Sequence, residues 1–173
     1  RPSASSAGAM QLGARITVRS GLIGSGGSVT VRAPDALIVR NTINAQGGDQ
    51  YAAIDLRAGG AVVIDSGGPL IASALPLSYD SGGGDGGSIA VAGRSILVKD
   101  QLLAAADGDG TGGIIEMEAF AGAITLTGSG IVVDGDEGDL SIVTHTPAPD
   151  GSVTIGATIS AQAPGSVPGS TGG

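Results

Sequence analysis

The densest set of chemistry-bearing residues is the run Asp107-Gly-Asp109-Gly-Thr111-Gly112-Gly-Ile114-Ile-Glu-Met-Glu118. With Asp107 as the first position, side-chain oxygens stand at the first, third and fifth places. Gly follows at the sixth, Ile at the eighth and Glu at the twelfth, the ligand spacing of a helix-flanked calcium loop. Asp107, Asp109, Thr111 and Glu118 are therefore the candidate calcium ligands, and calcium is the one cofactor the sequence offers. The flanking residues alternate as strands do, however, and Asp-Gly pairs also serve as corners between strands. A second acidic corner, Asp134-Gly-Asp136-Glu137-Gly-Asp139, could hold a divalent ion loosely or simply be solvated.

Glu116 and Glu118 form a third group. Two residues apart on a strand, their side chains project to one side roughly 6–7 Å apart. That spacing suits a carboxylate pair working on a glycosidic bond. No Arg or Lys is near them in sequence, and the chain has no Trp to stack a sugar. His145, the single His, sits in His145-Thr-Pro-Ala-Pro-Asp-Gly151 with no Ser or Cys motif beside it, and reads as a surface residue. No catalytic residue is assigned, and the chain is read as not an enzyme.

What must position these groups is a strand-based repeat. The segment Gly113 to Glu137 carries three short alternating runs, Ile115/Met117, Ile124/Leu126 and Ile131/Val133, with Gly-containing corners between them. Comparable units open at Met10, Val29, Ile54, Ile89 and Leu140. The spacing is about 25 residues, stretched once by an insertion from Ser73 to Gly86. One such unit cannot bury its own apolar side, whereas stacked units bury a continuous column. The expected fold is all-β: a right-handed parallel β-helix of about six coils, each of about 25 residues with three short strands. Residues 1–9 read as an arm, 10–162 as the solenoid, and 163–173 as a Gly/Pro/Ser-rich tail.

Alternation also predicts the outward ladders of the first strand in each coil. One reads Thr30, Asp55, Ala90, Glu116, Ser141, and its neighbour reads Arg32, Arg57, Ala92, Glu118. The charge is uneven along the chain. Residues 1–57 hold six Arg against three Asp, a balance of +3, while residues 58–173 hold two basic residues against 13 acids, a balance of −11. Without a dense basic patch or an aromatic platform, nucleic acid is excluded as a partner. No run approaches the ~20 apolar residues that span a bilayer as a helix, so membrane insertion is not expected. The absence of Cys excludes a disulfide framework and thiolate metal sites.

The stretches Gly27-Ser-Val-Thr-Val-Arg-Ala-Pro-Asp-Ala-Leu-Ile-Val-Arg-Asn-Thr-Ile-Asn-Ala-Gln-Gly-Gly48 and Gly87-Ser-Ile-Ala-Val-Ala-Gly-Arg-Ser-Ile-Leu-Val-Lys-Asp-Gln-Leu-Leu-Ala-Ala-Ala-Asp-Gly108 carry a resemblance. They resemble the repeats of filamentous-haemagglutinin-type and adhesin-like bacterial β-helix surface proteins, over about residues 27–162. The resemblance implies an extracellular or cell-surface setting in a bacterium. The expected role is a structural subunit that self-associates head to tail into a filament, surface layer or matrix fibre. The arm and tail are candidate contacts between copies. The alternatives are an adhesive passenger with a cell-surface or glycan ligand and, more remotely, a β-helical polysaccharide-active enzyme.

Overall fold

The computed structural model describes residues 8–19, 26–47, 52–74, 84–107, 110–147 and 150–162. Among the described residues there are seventeen strands and no helix. They are numbered in chain order and fall into three parallel sheets. The first sheet holds β3 (Ser28–Ala33), β6 (Ala53–Ala58), β9 (Ser88–Gly93), β12 (Ile114–Ala119) and β15 (Asp139–Thr144). The second holds β1 (Met10–Leu12), β4 (Leu37–Val39), β7 (Val62–Ile64), β10 (Ile96–Val98), β13 (Ile124–Leu126) and β16 (Val153–Ile155). The third holds β2 (Ile16–Thr17), β5 (Ile43–Asn44), β8 (Leu70–Ile71), β11 (Leu102–Leu103), β14 (Ile131–Val132) and β17 (Ile159–Ser160).

Every strand pairs with its counterpart one coil away, so the chain is a parallel β-solenoid. It makes about five complete turns, preceded by a first coil whose described residues form β1 and β2. The sequence pattern places Met10 in line with Val29. The register instead aligns Met10 with Leu37 in the second sheet. The two positions share the same alternation, and only pairing separates them. The spacing between Met10 and Leu37 then falls into the repeat of about 25 residues. The arm, apart from Gly8 and Ala9, and the tail lie outside the described residues, as do residues 75–83 of the insertion and Asp109.

The core is a set of aliphatic columns running through the coils. One is Leu37, Val62, Ile96 and Ile124, another Ile43, Leu70, Leu102 and Ile131, and all are buried. Alternation carries the inner side chains of each strand into the column and its outer ones to solvent. The aliphatic composition follows. Coils stack about 4.8 Å apart, so each aliphatic side chain packs directly on its counterpart in the next layer.

The corner entering the first sheet explains part of the Gly content. Gly87, Gly113 and Gly138 each stand directly before a first-sheet strand. A Cβ at Gly113 would lie 1.8 Å from the Ala104 carbonyl oxygen, and one at Gly138 would lie 2.0 Å from that of Val133. The chain turns so tightly there that only a residue without a side chain fits.

If the columns hold the fold, truncation inside them is costly and truncation at the open last coil is not. Leu102→Ala is expected to cost about 2–5 kcal/mol in urea unfolding. Ile155→Ala is expected to cost under about 1 kcal/mol. Equal losses would mean that the stacked columns are not what stabilises the rod.

Candidate functional site

The outer face of the first sheet places five charged side chains, Arg32, Asp55, Arg57, Glu116 and Glu118, on two ladders, as alternation predicts. Register aligns Thr30, Asp55, Ala90, Glu116 and Ser141 on one row, and Arg32, Arg57, Ala92, Glu118 and Val143 on the next. At the basic end, the Arg57 Nε donates to Asp55 at 2.8 Å, and Arg32 lies 3.5 Å from the same carboxylate. The Arg57 guanidinium is pushed above its ordinary value, first by that hydrogen bond and charge from Asp55, then by the fields of Glu118 and Glu116. Ala90 and Ala92 separate the two ends. Their small side chains leave a recess of about 60 Å³ between Arg57 and the two glutamates.

The acidic end opens into a shallow recess of about 210 Å³ lined by Glu116, Glu118, Ser141, Val143 and His145. His145 Nε2 lies 2.7 Å from Glu118 Oε1, with both side chains more than half exposed. The structure thus gives the single His a specific partner on the neighbouring coil, which its place in a Pro-containing loop does not reveal. Arg57 is the other residue far from the glutamate pair in sequence. The predicted row Arg32, Arg57, Ala92, Glu118 already places it in line with Glu118, and the register agrees. Chemically, the arrangement is a Glu–His contact beside a second carboxylate, open to water. Exposed ion pairs of this kind are screened and contribute little to stability.

Of the candidate calcium ligands, Asp107, Thr111 and Glu118 are among the described residues. The run lies between β11 and β12, so strands and not helices flank it. The Asp107 backbone N–H donates to the Gly84 carbonyl. Thr111 donates its backbone N–H to Asp85 at 2.9 Å and bridges to Asp136, while Glu118 faces His145 on the outer surface. Asp109 lies outside the described residues. Among the described residues, no three His, Cys, Asp or Glu side chains come together as a metal site. The second acidic corner is partly an anchor: Asp134 accepts the Ser160 hydroxyl at 2.6 Å and the Gln162 N–H at 2.9 Å. Asp136 Oδ1 is buried without a hydrogen-bond partner.

Two further polar ladders stand at corners. After the third sheet, Asn44 and Ser73 are buried, and Gln46 links them by accepting from Asn44 Nδ2 and donating to Ser73 Oγ. Arg19 donates to both Asn44 and Gln46 from the coil before. After the second sheet, Lys99 donates to Asp65 at 3.1 Å. Asp65 is held below the usual carboxylate range by that hydrogen bond, by the Ser66 N–H, and by the charges of Lys99 and Arg40.

With this fold and this face, the protein belongs to the class of parallel β-solenoids. Comparison with protein-family models, curated proteins and solved structures returned no match for the chain.

Two outcomes test the site electrostatics. Because its folded value is depressed, Asp65 stabilises the fold above the ordinary Asp range and loses that contribution as pH falls through the folded value. Asp65→Asn is therefore expected to unfold at lower urea than the parent at neutral pH, with the difference closing as pH falls below the ordinary Asp range and through the depressed folded value. Millimolar calcium is expected to leave the thermal midpoint unchanged by scanning calorimetry. A rise of several degrees that is lost in Asp107→Asn would instead place a cation in the corner.

Proposed function

We propose that this chain is an extracellular structural subunit of the filamentous-haemagglutinin or adhesin type, which associates head to tail into a filament, surface layer or fibre. The observation that carries this reading is the contrast between the terminal coils and their neighbours. Val153, Ile155 and Ile159 are 41%, 48% and 42% exposed, whereas Ile124, Leu126 and Ile131, aligned with them one coil inward, are buried. At the other end Met10 is 38% exposed over a fully buried Leu37. The first and last described coils keep interior side chains at interior positions, and no described strand pairs with the outer edges of β1, β2, β16 and β17, an arrangement that invites pairing.

Charge supports a second copy as the occupant. The basic balance of the first third and the acidic balance of the remainder attract when a head meets a tail and repel when like ends meet. A contact between two different surfaces does not close on itself and propagates.

A second reading, an adhesive module, draws support from Phe120 and Val143, exposed large apolar residues in register with His145 and Glu118. On that reading Phe120→Ser abolishes ligand capture and leaves association unchanged.

The test of the filament reading is light scattering with electron microscopy over a range of concentration and salt. Elongated species that grow with concentration and weaken at high salt are expected. A monodisperse monomer under all conditions would rule the reading out.

A further inference from the structure

The outer face of the first sheet has a charge pattern centred on one strand. β9 puts only Ala90 and Ala92 on the two charged rows, with Asp55 and Arg57 of β6 on one side and Glu116 and Glu118 of β12 on the other. We propose that this face docks a second copy of the chain, face to face and with the two rods antiparallel, about a two-fold axis that lies between the faces and runs along β9. Each β6 then stands opposite the second copy's β12, and like rows face one another. Arg57 meets the second copy's Glu118, and symmetry makes the contact twice. The contact is on the side of the rod and is independent of the head-to-tail reading.

Charge complementarity selects both the occupant and the orientation. Among the described residues, neither Glu116 nor Glu118 is ion-paired with an arginine or lysine. Within one molecule Arg57 stands two coils from them, about 10 Å along the rod. The antiparallel two-fold brings the opposite charges into contact. The other two-fold parallel to the face runs along the rod and would set β12 on β12, glutamates against glutamates, which disfavours it. Asp55 does face the second copy's Glu116. Its carboxylate is already held by Arg57 at 2.8 Å and Arg32 at 3.5 Å, and Arg57 then stands between Asp55 and the incoming glutamates.

The neutral side chains fit the same arrangement. Ala90 and Ala92 meet their own counterparts across the axis, so nothing long separates the faces there. Ile114, 44% exposed, comes opposite Ala53, and Val143, 42% exposed, comes opposite the aliphatic stem of Arg32. Each of the five strands is six residues long, which makes a face of roughly 20 by 24 Å. The pair buries about 1,000 Å² in all, the lower edge for specific interfaces, so it is weak and reversible.

The chain has no Cys, so an introduced thiol reports on contact without interference. Ala92 stands on the proposed axis, and facing sheets lie about 10 Å apart, within the span of a short bismaleimide. The test is cross-linking of the Ala92→Cys variant, read on a denaturing gel beside light scattering of the untreated protein. A covalent dimer is expected, forming about tenfold or more faster than in Thr154→Cys, whose exposed position lies on the second sheet. Adding Arg57→Glu or Glu118→Arg is expected to slow the reaction about tenfold or more, because either change sets like charges together. Adding both is expected to return it to within about threefold, because the exchanged pair attracts again. Equal rates at positions 92 and 154, or no recovery in the double reversal, would overturn the pairing. Head-to-tail contact alone keeps the thiols at position 92 a whole rod apart. Growth in light scattering without the cross-link therefore overturns the lateral pair and leaves the filament reading standing, and the cross-link without growth does the reverse.

Discussion

The structure depends on one constraint: no coil can bury its own apolar side chains. Each coil presents three short strands whose inner residues form a single layer, and that layer is covered only by the coils above and below. Hydrogen bonding makes the same demand, because the strands pair between coils and not within them. The backbone ladder and the aliphatic columns are therefore satisfied together or not at all. Leu102 is buried because Leu70 and Ile131 lie on either side of it, and its backbone is paired on both edges for the same reason. Remove one neighbour and the layer becomes what β16 and β17 are, an interior pattern facing outward.

That constraint frees the outer surface. With inner positions committed to the columns, outer positions carry no packing role and can vary in charge. The first-sheet face uses this latitude to run from Arg32 and Arg57, across Ala90 and Ala92, to Glu116 and Glu118. Pairing between coils then decides which charges meet. Asp55 is shared by two arginines, Lys99 reaches Asp65, and Glu118 meets His145, each contact joining side chains on one coil or on successive coils. The polar ladder of Asn44, Gln46 and Ser73 obeys the same rule from a more buried position. Its members satisfy one another along the axis, as buried polar groups must.

Most of the architecture was legible because alternation and a repeat near 25 residues report on burial directly. The outward rows were legible for the same reason, and the register reproduces them residue by residue. The first coil was not. Met10 and Leu12 alternate as Val29 and Val31 do, and alternation does not say which of three sheets a strand joins. The Glu118–His145 contact was hidden by a different limit: the partners are separated by a whole coil, and His145 lies past the end of its strand. The calcium spacing is a different kind of signal. It counts positions along a chain, while in a solenoid the strand from Ile114 carries Glu118 onto an outer face with its own partner.

The first and last described coils show the same logic at its edges. In a globular protein an exposed Ile or Val is ordinary and needs no explanation. Here the comparison is sharper, because each exposed residue has an aligned counterpart one coil inward that is fully enclosed. The chain has not substituted polar residues at Val153, Ile155 and Ile159, although nothing in their own coil requires them to be apolar. A cap would relieve that pattern with polar side chains or a covering element. These positions instead repeat the interior chemistry in the interior register. What such a surface complements best is another coil of the same kind.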